Sequence, residues 1–360
     1  MSPAAGARNL LLTCAKAEVG QSLLIAYEPA RLGYFDDRVV DCVAREAREL
    51  GLHVRLFDVG FAPETPHLCT QLQKQMAHAD IVIFFARLGD QLRFCDMPRN
   101  KTIITCFAAT EELLASGFGT GDYGAFTTLK AAVDEAFTRA REVRLTCPNG
   151  TDVRGTPRMD GTETSLKRFP LSVFAPVPAH TFSGRVALAG FLTGTGSRYY
   201  EPYNLDFEGT LFAHLEAGRL THFTGCPHVV ARADAHYDAV ARRYGLDRNA
   251  VHSWHAGIHP GCGFPWQMSQ HPERWGGTAF GNPRIAHFHT CGAQAPGEIS
   301  WNVIDPTITL DGVQVWEDGT LYPQRLHGGE DLLRRHGDLA KMFKSPDRAI
   351  GLPDRAFAMA

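Results

Sequence analysis

No stretch of the 360-residue chain approaches the roughly 18 consecutive apolar residues of a membrane span, so no spanning segment is expected. The opening M-S-P-A-A-G-A-R-N-L-L-L-T-C carries too short an apolar run for a signal peptide, and polar residues follow it. Basic runs are absent too, and the net charge is −3, which argues against a nucleic-acid or membrane surface as partner. There is no C-x-x-C pair. The nine cysteines are an odd number and are scattered, so reduced thiols in a cytoplasm are the expectation. No glycine-rich phosphate fingerprint follows the first predicted strand, where Y-E-P-A-R-L-G-Y stands instead, so no nucleotide cofactor is expected.

What is present is an ordinary globular composition, 44% hydrophobic and 21% charged. The length allows one large or two ordinary domains with a well-buried core. The first part alternates strand and helix. S-L-L-I-A-Y (Ser22 to Tyr27) reads as a buried strand, and Asp36 to Leu50 has helical spacing with Gly51 as its stop. His53 to Val59 is the next strand, and a helix around Pro66 to His78 leads into the fully apolar A-D-I-V-I-F-F-A. Thr102 to Phe107 is a further strand, Gly117 to Gly124 a flexible loop, and Leu129 to Val143 a helix. Such alternation predicts a doubly wound parallel sheet, an α/β Rossmann-like domain over residues 1–147.

Around V-R-L-T-C-P-N-G-T-D-V the pattern changes, and a Pro/Gly-rich stretch runs to Pro170. Strands then dominate, with E-A-G-R as a hairpin turn, a helix over Ala235 to Tyr244 and another over Leu326 to Phe343. Residues 148–360 are therefore expected to form a β-rich α+β domain.

That second domain holds the densest chemistry of the chain. Between Val251 and Gly312 lie His252, His255, His259, His271, His287 and His289, six of the sixteen histidines, with Cys262, Cys291, Glu298 and Asp305 nearby. Imidazole is the commonest metal ligand and the usual general base near neutral pH. His255 and His259 have the i, i+4 spacing that faces two rings the same way if the turn is helical. His287 and His289 alternate, so on a strand both point to one face. His255, His259 and one of that pair would then make a three-histidine site with open positions. Each histidine alone is better read as hydrogen-bonded in a polar cavity; the cluster is read as functional. His180, His214, His222, His228 and His236 are isolated and read as surface or core residues.

Cys262 follows His259 in H-P-G-C-G and is either a thiolate nucleophile or a small buried residue, whereas Cys291 reads as core. Glu298 and Asp305 are candidates for a stand-in ligand or a general base, and Asp311 for a turn. Trp254, Trp266, Trp275, Trp301 and Phe264 fit an aromatic pocket wall or the core equally well.

Over nearly its whole length the chain resembles the superfamily of aminopeptidase T-type metallo-aminopeptidases and 2,5-dihydroxypyridine 5,6-dioxygenases. The resemblance rests on the order and spacing of V-G-Q-S-L-L-I-A-Y, A-D-I-V-I, V-R-L-T-C-P-N-G-T-D-V, F-P-L-S-V-F-A-P, H-A-G-I-H-P and T-I-T-L-D-G. It implies an α/β N-terminal domain, a C-terminal domain with the metal site, and a homo-oligomer. It also implies departures. Ser172 stands near a family glutamate, and His255 where the aminopeptidases have glutamate and the dioxygenases histidine. His289 falls near a family histidine, and Ser300 and Asn302 fall where a His-x-Asp pair is due. Hydroxyl and amide groups are poor replacements for those ligands. A functional two-metal aminopeptidase is therefore not expected.

The resulting expectation is a cytoplasmic enzyme acting on a small molecule, with a planar ring as a candidate substrate. Its site would hold one divalent metal, with iron(II) favoured over manganese or zinc. It would stand nearer the ring-cleaving dioxygenases of N-heteroaromatic compounds than the peptidases. His255, His259, His287 and His289 are the candidate ligands, and His255, His289, Glu298 and Cys262 the candidate catalytic groups. The alternatives are a metal-independent hydrolase or lyase using His, Cys or carboxylate groups, and a non-catalytic binding protein on the same fold.

Overall fold

The computed structural model describes residues 2–62, 68–93, 95–98, 100–159, 161 and 164–352. Two compact units emerge, one of Met1–Thr127 with Glu163–Ser172, the other of Thr128–Thr162 with Val173–Ala360.

The first unit is built on five parallel strands in the order His53–Asp58, Ser22–Tyr27, Ile81–Phe85, Thr102–Cys106 and Lys167–Phe169. Ile81–Phe85 is buried at every position, as a strand covered on both faces requires. The helix Asp37–Glu49 starts where Asp36 Oδ1 accepts the Val39 N–H at 2.7 Å, a side-chain cap for an otherwise unpaired donor. Val39, Val40, Val43, Ala44 and Ala47 form its buried stripe. Gly51, at φ 79°, ends it in the left-handed region that a side chain would resist. The next helix is Thr70–Ala77; its expected start at Pro66 lies outside the described residues.

Gly117 to Gly124 is not a flexible loop. A short helix Gly117–Thr120 is capped by Ser116 Oγ on the Phe118 N–H, and Tyr123 opens the long helix Tyr123–Arg139. Gly119 is required by close packing: a Cβ there would lie 2.2 Å from the Leu114 carbonyl oxygen.

The second unit carries a large antiparallel sheet of twelve described strands. Val143, expected as the last residue of a helix, instead opens one of them, Val143–Thr146, which pairs antiparallel with Thr307–Leu310 and with Asp152–Gly155. The division is thus crossed more than once instead of falling at 147/148, because Val143–Thr146 finds partners about 160 residues ahead while Lys167–Phe169 joins the parallel sheet. Such pairings leave no local trace in the sequence. E-A-G-R does make a hairpin between Asn204–Glu216 and Arg219–Thr224, with Ala217 at φ 46° and Gly218 at φ 74°. The helix expected from Ala235 begins earlier, at Pro227, whose missing N–H suits a first turn. The last expected helix is two, Gly329–Arg335 and Gly337–Lys344, broken at His336 ahead of a glycine.

The three strands that matter most are adjacent: Val251–Ala256, Ile285–Cys291 and Glu298–Ile304. The latter two are buried throughout. One face carries Trp254, Phe288 and Trp301, ring against ring at 5.9 and 5.7 Å. From the helix Pro227–Tyr244, the Tyr237 hydroxyl meets that face, 2.6 Å from Thr290 Oγ1, and accepts the Trp301 indole N–H. The other face holds the histidines.

Candidate metal centre

Alternation along a strand and antiparallel register together decide which side chains share a face. His255 pairs with His287, His287 with Asn302, and His289 with Ser300; Glu298 lies two residues before Ser300 and pairs with Cys291. Ser300 in turn pairs with Thr193 of the neighbouring strand. His255, His287, His289, Glu298, Ser300 and Asn302 therefore project from one side of the sheet. All six are buried, with the imidazoles of His255, His287 and His289 at 7%, 3% and 6% exposure.

The rings converge through Nε2. The Nε2 atoms of His255 and His287 are 2.8 Å apart, and those of His255 and His289 are 3.3 Å apart. Phe280 stacks on His287 at 4.0 Å between centroids and covers it on one side. Among the described residues these three histidines form the one group with three or more metal-binding side chains whose ligand atoms lie within 4.8 Å of one another.

The far nitrogens fix the tautomers. His255 Nδ1 is 2.9 Å from the Phe174 carbonyl oxygen, which only accepts, so Nδ1 carries the proton. His289 Nδ1 is 2.5 Å from Glu298 Oε1 and donates to that carboxyl oxygen. With Nδ1 turned to those partners, His255 and His289 face each other through Nε2 across 3.3 Å. Three imidazole nitrogens so placed can hold a divalent cation: ligands about 2.1 Å from a common metal at angles of about 90–110° stand about 3.0–3.4 Å apart, a range the 3.3 Å pair meets and the 2.8 Å pair falls just short of. The donor set fits a divalent metal that prefers imidazole, with Phe174 and Glu298 as the outer partners that orient ligating rings. Tyr200 steadies this arrangement by donating its hydroxyl to the Glu298 carbonyl oxygen at 2.6 Å.

His259 stands outside the group of three. The stretch after Ala256 is a bridge and a turn, not a helix, so the four-residue spacing aligns nothing. Its Nδ1 accepts the Gly261 N–H at 3.2 Å, and complete burial pushes its pKa down to about 3, leaving the ring neutral. The buried Cys262 thiol donates to the Thr278 carbonyl oxygen, a packing role facing the helix Pro272–Ala279. Asp305 is taken by a bidentate pair with Arg284, at 2.6 and 2.7 Å. Asp311 shapes a turn, accepting from the backbone N–H groups of Arg141 and Glu142. Of the aromatic residues, Trp254, Trp275, Trp301 and Phe264 have no exposure and belong to the core. The Phe174 carbonyl and the Phe280 ring were not among the expected site groups; no side-chain pattern advertises a backbone oxygen, and Phe280 reads locally as one apolar residue among many.

The sequence matches no protein-family model and no curated protein. The fold, however, is shared with a solved structure, the 2,5-dihydroxypyridine dioxygenase from Pseudomonas putida KT2440. The similarity has a TM-score of 0.58 at 15% identity and covers 90% of this chain and 99% of that one. A weaker likeness, TM-score 0.44 at 12% identity over 85% of this chain and 94% of the other, is to AmpT from Thermus thermophilus. No helix among the described residues is long and apolar enough to cross a membrane.

Proposed function

We propose that the chain is a mononuclear metal enzyme of the ring-cleaving dioxygenase kind, with His255, His287 and His289 as its ligands. The observation that carries this reading is the convergence of three Nε2 atoms, two of them on rings whose other nitrogen is committed elsewhere. A bound divalent metal, iron(II) first among the candidates, would supply a Lewis acid with open positions for substrate and co-reactant. The remaining work falls to the protein. The Phe174 carbonyl and the Glu298 carboxylate hold two rings in the tautomer that leaves Nε2 unprotonated. Burial of all three imidazoles keeps bulk water from competing for the site. The fold shared with a dioxygenase favours a planar hydroxylated N-heteroaromatic substrate. The reading extends to a cytoplasmic homo-oligomer, as the sequence resemblance implies.

A second reading is favoured by one contact. A histidine held by a buried carboxylate, as His289 is by Glu298, is also how a general base is oriented for metal-independent hydrolysis or lyase chemistry. Oxygen consumption by iron(II)-reconstituted protein with 2,5-dihydroxypyridine and related dihydroxylated pyridines tests the first reading. Turnover of such a ring without oxygen uptake, unaffected by a chelator, would replace it with the second.

A further inference from the structure

The same sheet face carries a polar group that no part of the triad uses. Asn302 is 1% exposed, on the middle of a fully buried strand, and directly opposite His287 in register. The Ser300 hydroxyl donates to its Oδ1 at 3.3 Å, which sets the amide with Nδ2 as the outward donor. That Nδ2 has no hydrogen-bond acceptor among the described residues. An unfilled buried N–H is costly to keep. Cross-strand neighbours stand about 4.5–5.5 Å apart at Cβ, so the amide borders the space into which the His287 ring projects.

We propose that Asn302 is a substrate-binding residue of the metal centre, and that its amide N–H selects ligands presenting an anionic oxygen beside His287. This rests on the reading of the triad as a metal site and adds what that site recognises. The complement of a fixed amide donor next to a cationic centre is a negatively charged oxygen, such as the phenolate-type oxygen of a hydroxylated ring or a carboxylate. A ligand offering a nitrogen lone pair to the metal and no oxygen would gain nothing from it. Ser300 acts as the positioning residue, because its hydroxyl decides which end of the amide faces the ligand.

The test uses the full chain loaded with cobalt(II), with 4-nitrocatechol as the oxygen-donor probe and imidazole as the probe lacking oxygen. Asn302→Leu is expected to weaken nitrocatechol binding by about 10- to 100-fold, the worth of one hydrogen bond to a charged group. Cobalt stoichiometry and imidazole affinity should stay at the wild-type level. Ser300→Ala should give a smaller loss in the same direction. If Asn302→Leu fails to fold, Asn302→Ala replaces it: the donor is removed without added bulk, and nitrocatechol affinity should fall by the same factor. Unchanged nitrocatechol affinity, or loss of cobalt together with both probes, overturns the proposal. Should the wild type take up no metal, the reading of the triad falls by itself. The titration is then run on metal-free protein, where a shift of the Asn302 side-chain amide resonances with nitrocatechol sustains the contact and unmoved resonances overturn it.

Discussion

His255 and His287 lie directly opposite each other on neighbouring antiparallel strands, with their Nε2 atoms 2.8 Å apart. At that distance an N–H on one ring is shared with the other. The third ring, His289, brings a further lone pair to the same point from 3.3 Å. The three nitrogens together could hold a metal ion.

Replacing Glu298 by Gln removes the carboxylate that draws the Nδ1 proton of His289. Outer partners of this kind are worth about 10- to 100-fold in metal affinity. Glu298→Gln should weaken metal binding by that factor and leave the far-ultraviolet circular dichroism spectrum unchanged. Competition titration against a chromophoric chelator measures it, and full wild-type affinity would show that Glu298 does not tune the ligand.

Removing the imidazoles has a stability cost that a solvated cavity would not impose. His289→Ala leaves the Glu298 carboxylate, itself 1% exposed, without its imidazole donor. A loss of roughly 3 kcal/mol is expected in urea unfolding of metal-free protein. The double variant His289→Ala, Glu298→Gln should recover part of that loss, since the stranded charge is gone. Strict additivity of the two single changes would mean that the pair is uncoupled.

The buried histidines outside the triad make stability depend on pH. Burial pushes His259 down to about 3 and His236 down to about 4. Both stay neutral in the folded state while the unfolded chain takes up protons below about 6.5. The unfolded state thus binds more protons, and stability is complete above that pH and is lost as the pH falls toward 4. Each group contributes a slope of about 1.4 kcal/mol per pH unit inside its window. Urea midpoints between pH 7 and pH 4.5 should fall for the wild type and fall less steeply for His236→Phe; parallel curves would contradict the assignment.

Much of this was legible beforehand, for identifiable reasons. The i, i+2 spacing of His287 and His289 is a property of one strand, and it placed both rings on one face. The helical spacing from Asp36 and the Gly51 stop are local signals and bounded their helix closely. What failed was non-local or packing-driven. The pairing of Val143–Thr146 with Thr307–Leu310 spans more than half the second unit's sequence, and nothing near Val143 announces it. The His255 and His259 spacing misled because the chain leaves the strand at Ala256 and turns, so a helical ruler did not apply. Gly117 to Gly124 reads as a flexible loop, yet Gly119 within it is a contact point for the Leu114 carbonyl. The Glu298 carboxylate was a candidate from the sequence, but only the antiparallel register of Ile285–Cys291 with Glu298–Ile304 shows why it meets His289.

Metal stoichiometry tests the central claim most directly. Protein produced with iron supplementation and handled without oxygen or chelator should carry about one equivalent of metal per chain, and His255→Ala and His289→Ala should each lose most of it. Elemental analysis showing no bound metal in the wild type after such preparation, or equal metal in all three proteins, would contradict the account.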